Sequence, residues 1–319
     1  MIPVDDYLGF LTDEYLRDYV ADGGAAVKFV IPPDDSSAAA FITGFGDRAR
    51  DAGYVVGSVD AAETRVHLLE QVFFDVARQV DWDGLAAVST AAATAAAGYP
   101  APDGNLSLDH LASHHRVDPR ELKREIDRQL QTQVHRDYAM VAEFRTAMLR
   151  LCQAQLQSGQ VADAEHAAVL DWLRGDLRQI SALRSALIFR RIGRHNARQL
   201  LFSLAHWASV NGHSGLALLL DIRRLGFARR PIPEERHGHY YTKAALLDGY
   251  EVLRQLVDNT DEMANLVVAV VASPAFLTDP ARGLDAYQAL KLRIFDEVRD
   301  ARRDNPLSAL IRLQAAGAA

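Results

Sequence analysis

Four short runs in this chain are apolar at almost every position: AAVKFVI at 25–31, YVVGSV at 54–59, GLALLLD at 215–221 and LVVAVVA at 266–272. A strand with one wet face alternates polar and apolar residues, so runs of this kind need cover on both faces. The segments after them can supply it. Residues 36–52 read as a helix closed by Gly53, and 66–80 carries Val66, Leu69, Phe73 and Ala77 at three- and four-residue spacings. Residues 242–259 form a further helical pattern, and the run at 266–272 reads as the final strand. Strand and helix alternating at these lengths predict a parallel sheet with crossover helices, an α/β fold. Ahead of them, Thr12-Asp13-Glu14 reads as the capped start of a short helix that Gly23 and Gly24 stop.

The middle of the chain has a different texture. STAAATAAAGYPAPDG at 89–104 reads as a frayed helix end followed by a linker. From Leu106 to about residue 180 the pattern is helical, with Leu130, Val134, Tyr138, Val141, Phe144, Met148 and Leu151 as one apolar stripe. A helix over 196–210 follows. The expected organisation is an α/β core in two parts, 1–90 and 183–319, interrupted by a helical insertion at 91–182. Within the insertion, Leu108 to Ile126 has helix-turn-helix spacing, with Ala112 between the helices, Asp118-Pro119 opening the second, and Arg116 in place of the usual turn glycine. The same apolar spacing serves any packed helix pair.

A length of 319 residues with 49% hydrophobic and 24% charged residues can bury a core without disulfides. The single cysteine, Cys152, falls inside a helical pattern and reads as a small buried hydrophobe, which fits a reducing cytoplasm. The acidic N-terminus lacks the pattern of a signal peptide, and no apolar run approaches the roughly 20 residues of a membrane span. A net charge of −7 argues against a general nucleic-acid coat. Local basic patches remain: Arg184, Arg190, Arg191, Arg194 and Arg198, then Arg223, Arg224, Arg229, Arg230 and Arg236. Arg190, Arg191, Arg194, Arg198, Arg229 and Arg230 are the candidates for one surface facing a protein partner or nucleic-acid phosphates.

In open parallel sheets, ligands gather beyond the carboxyl ends of the strands. After the first strand, a phosphate cradle needs GxxxxGK followed by Ser or Thr, for backbone donors, a lysine and a magnesium ligand. The chain has Pro32-Pro33-Asp34-Asp35-Ser36-Ser37 instead. The prolines remove amide donors and the aspartates put negative charge where an anion would lie. Ser36 or Ser37 reads as the helix cap. The third strand ends in Asp221, as a magnesium-organising strand does, but Ile222 follows and can neither accept a proton nor orient water.

These pieces, in this order, resemble the P-loop ATP-binding proteins of bacteriophage-exclusion (BREX) defence systems, an AAA+-like group. The likeness lies in AVKFV, ARDAGYVVGSVDAAETRVHLLEQVFFDVA, VLDWLRGD, HSGLALLLD, LRQLVDNTDEMANLVVAVVASPAFLTDPARGLDAYQALKLRI and DNPLSALIRL, which together span nearly the whole chain. The resemblance implies a parallel-sheet P-loop NTPase (AAA+-like) core with a helical insertion, ATP and magnesium as ligands, and a place in a bacterial defence complex. It matches Asp221 to the retained aspartate of the family, Ser273 to its post-strand polar residue and Arg293 to its late arginine. Active members carry a glycine-rich loop and an Asp-Glu pair, and neither is intact here.

Two functions follow from that mixture. One is a degenerate, non-hydrolysing ATPase-fold subunit without a nucleotide cofactor, which binds a protein partner (a helicase, nuclease or active ATPase subunit) and DNA as a second ligand. In that case Asp221 caps amides at the strand end or pairs with an arginine such as Arg293. The other is a nucleotide-binding ATPase or switch whose atypical loop is completed by a partner subunit, in an oligomer. A metal site at His237, His239, Tyr240 and Tyr241, with help from His114 and His115, lacks the three or four ligands at regular spacing that zinc favours.

Overall fold

The computed structural model describes residues 1–157, 160–227, 238–295 and 304–315. The chain divides into two compact units, one of Met1–Gln79 with His213–Ala319, the other of Val80–Gly212. The boundaries read from composition, at 90/91 and 182/183, both fall inside the second unit.

The first unit is built on a five-stranded, all-parallel sheet: β1 (Ala25–Ile31), β2 (Val55–Asp60), β3 (Leu216–Asp221), β4 (Leu266–Val271) and β5 (Leu310–Arg312), in the order β2-β3-β4-β1-β5. The three inner strands are buried at every position, as continuous apolar runs require. β2 lies at an edge, with Ser58 and Asp60 exposed. β5, at the other edge, makes β4 the penultimate strand rather than the last. Lys28 carries a charge in the middle of a central strand. It is 4% exposed, its Nζ donates to the carbonyls of Leu307 (2.7 Å) and Ser308 (3.2 Å), and it sits 4.3 Å from the centre of the Tyr15 ring. Those carbonyls and the ring stand in for lost water, and they tie β1 to the segment leading into β5.

Helices cover both faces. On one side lie α1 (Val4–Phe10), its π-helical continuation (Leu11–Tyr19) and α2 (Asp35–Asp51); Tyr7, Leu8, Phe41 and Phe45 pack there with Val30, Leu219 and Val271. On the other, Phe29 stacks on Phe276 of α11 (Ala275–Thr278), with ring centres 6.0 Å apart. α3 (Leu69–Gln79), α10 (Lys243–Asp258) and α12 (Gln288–Ile294) complete the unit. Gly57 lets α3 approach β2: a Cβ there would lie 2.9 Å from a Val76 methyl. Gly215, at φ +130°, is likewise required, since its Cβ would meet the Asn265 carbonyl at 2.0 Å. The helix expected to begin at Thr12 begins eight residues earlier, at Val4. Thr12 lies within it, and its hydroxyl donates back to the Leu8 carbonyl at 2.8 Å instead of capping.

The second unit is helical: α4 (Trp82–Ala96), α5 (Leu108–His115), α6 (Pro119–Leu130, continued by a π-turn over Gln131–His135), α7 (Ala142–Leu156), α8 (Gln160–Arg174) and α9 (Ala197–Val210). Its core joins Trp82, Phe144, Met148, Leu151 and Cys152, all buried. Thr90 sits in this core because its hydroxyl bonds to the Ala86 (2.7 Å) and Cys152 (3.1 Å) carbonyls. The alanine-rich stretch is therefore a packed helix to Ala96. The long apolar stripe is broken: the chain turns over 136–141, and Tyr138 is 79% exposed. Among the described residues, no helix is long and apolar enough to cross a membrane.

Candidate functional site

The connection leaving β1 runs through α2 toward β2, over one face of the sheet. That leaving β4 runs through α11 and α12 toward β5, over the other. β1 and β4 are neighbours whose connections depart in opposite directions, so the crevice beyond their carboxyl ends is where such a sheet places a ligand. Ile31, Asp60, Asp221 and Val271 end the strands around it.

The turn after β1 is organised by aspartate. Asp34 is the cap of α2, accepting from the Ser37 amide at 2.7 Å. That backbone hydrogen bond, seconded by the Ser37 hydroxyl, holds the Asp34 carboxyl below its ordinary range. The capping role expected of Ser36 or Ser37 thus belongs to Asp34, earlier in the same turn. Ser36 is exposed and Ser37 fully buried.

Asp221, 6% exposed, ends β3 with both carboxylate oxygens engaged. Arg223 supplies its backbone amide (3.1 Å), its Nε (3.0 and 3.1 Å to the two oxygens) and its Nη2 (2.7 Å). The remaining guanidinium nitrogen, Nη1, reaches Asp35 at 2.5 Å. The hydrogen bond to Asp221 is the main force raising the Arg223 pKa; burial opposes it, and the fields of Asp221, Asp35 and Asp60 add to it. One cation therefore links the end of β3 to the first turn of α2, across the mouth of the crevice. Asp221 does cap an amide at the strand end, and its arginine partner is Arg223 instead of Arg293. Arg293 is held by Asp258, at the end of α10 from which the chain re-enters the sheet at Leu266. Ser273 lies beside the turn after Arg223: a Cβ on Gly226 would lie 3.2 Å from its Oγ. Ile222 is buried, 3% exposed.

Arg223 was hidden among the basic residues of the sequence. The signal for it was an aspartate two residues ahead of an arginine in Asp221-Ile222-Arg223, the spacing at which an aspartate accepts from the backbone amide two residues on as a strand turns. Asp35 carries no comparable signal, because its neighbour in space is 188 positions away.

Of the other candidates, Tyr241 latches the loop after β2, donating to Ala61 (2.8 Å) and Thr64 (2.7 Å), and burial pushes its hydroxyl up to about 12. The His239 amide binds the Ala62 carbonyl, and His237 lies outside the described residues. Among the described residues no group of three or more His, Cys, Asp or Glu is arranged to hold a metal ion. Arg190, Arg191 and Arg194 are exposed and Arg198 half-buried in the helical unit; Arg190 lies 3.5 Å from Glu143. Arg229 and Arg230 lie outside the described residues.

The model of a protein family, described as BREX system ATP-binding protein BrxC/D, matches residues 13–318. The chain belongs to that family. Membership implies a component of a BREX phage-defence system. No curated protein and no solved structure matches the chain.

Proposed function

We propose that the chain is a non-hydrolysing BREX subunit: a P-loop NTPase (AAA+-like) core whose phosphate loop has degenerated and which works by binding other components of the complex. The observation that carries this is Arg223 bridging Asp221 and Asp35. In P-loop ATPases the strand-end aspartate holds magnesium. Here both oxygens of that carboxylate face a guanidinium, and the turn opposite offers Asp34 and Asp35 where a triphosphate needs donors. Pro32 and Pro33 contribute no amide, and the Ser37 amide is taken by the cap. Residues so arranged do not fit a magnesium-bound triphosphate.

Binding then falls to the exposed arginines of the helical unit, Arg190, Arg191 and Arg194 with Arg198 beside them, and to Arg229 and Arg230. The partner is an acidic surface of another subunit, with DNA as a second ligand. A second reading rests on the description of the family as ATP-binding: a partner subunit completes the atypical loop and makes the assembly a nucleotide switch. Phosphate release with and without the other subunits of the system separates the two. The first predicts turnover at background in the isolated chain and no change when Asp221→Ala replaces the parent in the complex. Turnover by the complex that this substitution abolishes, with the variant still folded and assembled, would establish the second.

A further inference from the structure

The helix pair at 108–130 has no part in the crevice chemistry. α5 ends at His115, Arg116 takes a left-handed conformation (φ 56°, ψ 46°), and α6 opens at Pro119 under Asp118, which accepts from the Arg120 (2.8 Å) and Glu121 (3.2 Å) amides. Leu111, Ala112, Leu122, Ile126 and Leu130 are buried and fix the pair to the helical core. The outward side of α6 is then determined. Residues four apart drift by only about 40° around a helix, so Arg120, Arg124 and Arg128 form one exposed stripe, continued by exposed Gln131.

The carboxylates near this stripe are mostly engaged: Asp118 in the cap, Glu125 with Arg128, and Asp127 accepting from Gln153 at 2.9 Å. Exposed Glu121 flanks it. Arg116 is the telling residue. A left-handed turn is costly for any residue with a Cβ. The chain carries that cost and gains an exposed cation at the point where the two helices meet.

We infer that α5 and α6 are a docking element for duplex DNA, with α6 in the major groove. That groove, about 12 Å wide, admits one helix, and Arg is the side chain that reads guanine edges there by two hydrogen bonds. Arg120 and Arg124, near the start of α6, stand where a recognition helix meets bases. Arg116 lies at the end of the contact where the two helices meet, placed for a phosphate, and Arg128, paired with Glu125, lies at the other. The inference deepens the DNA arm of the reading above. It is independent of whether the crevice binds nucleotide, because every residue it uses lies in the helical unit.

The test is fluorescence anisotropy of a labelled duplex with the full chain over a salt series. The parent is expected to bind at low salt and weaken linearly in log–log form as salt rises. Arg120→Ala with Arg124→Ala, at the bases, should weaken it at least about tenfold, whereas Arg116→Gly, at a phosphate, should lower the salt slope by about one. Arg116→Gly should melt no lower than the parent, because the turn suits glycine, and yet bind more weakly. Arg190→Ala with Arg191→Ala and Arg194→Ala should leave the α6 effect intact. Any of three results would overturn the inference: no binding by the parent, parental affinity in the Arg120/Arg124 variant, or a loss confined to the Arg190/Arg191/Arg194 variant. Displacement of the duplex by polyglutamate at equal charge would also overturn it, by showing a general acid-binding face.

Discussion

Arg223 holds the carboxylate of Asp221 with Nε at 3.0 Å and Nη2 at 2.7 Å, two residues further along the same chain. The pair is local in sequence but bridges elements in space, since the third nitrogen of the guanidinium reaches Asp35. Truncating one partner strands the other. Asp221→Ala should therefore destabilise the fold by about 1–3 kcal/mol, and Arg223→Ala by a similar amount. The double variant should cost less than the sum, with a coupling of about 0.5–3 kcal/mol. Chemical denaturation of the four proteins measures this. Strict additivity would show that the two side chains do not stabilise each other.

The start of α2 separates two neighbouring residues. Asp34→Ala removes the cap from the Ser37 amide and should lower the melting temperature, whereas Ser36→Ala, at an exposed position, should leave it close to the parent's. Thermal melts of the two variants decide it. A larger loss at Ser36 would return the cap to the serine.

Glu251 gives a pH signature. Hydrogen bonds from Arg254 foremost, opposed by burial and reinforced by Tyr287 and Gln255, bring its carboxyl down to about 2 from an ordinary 4.5. A carboxyl lowered in the folded state contributes stability that is present above its unfolded pKa and lost as pH falls toward the folded one. Glu251→Gln should thus be less stable than the parent at neutral pH. The gap should close as pH falls from about 4.5 toward 2. Denaturation curves at several pH values check this, and a gap that stays constant across the window would contradict it.

The sheet was largely readable in the sequence because burial on two faces leaves a local mark. Ala25–Ile31 is apolar at every position but Lys28, and the strand found there has those same limits. β5 left no mark, since its three residues, Leu310–Arg312, are too few to show a period and are placed by pairing with Phe29, Val30 and Ile31. Thr12 misled because a threonine hydroxyl serves a cap or a carbonyl one turn back equally well, and only the packing of Tyr7 and Leu8 decides between them. Tyr138 fitted the apolar spacing of its neighbours, yet the chain turns there and exposes it. At the site, Asp221 was legible as a strand-end carboxylate. Its partnership with Asp35 through Arg223 is a product of tertiary folding, which brings β3 and α2 together at the crevice.

The central claim is that this crevice is closed by its own ion pairs and gives a triphosphate nothing to hold. Titration calorimetry of the full chain with ATP and magnesium tests it directly. The predicted result is a dissociation constant of about 1 mM or weaker, equivalent to roughly −4 kcal/mol, and unchanged in Asp221→Asn. A micromolar constant that Asp221→Asn abolishes would contradict the claim and make Asp221 a magnesium ligand.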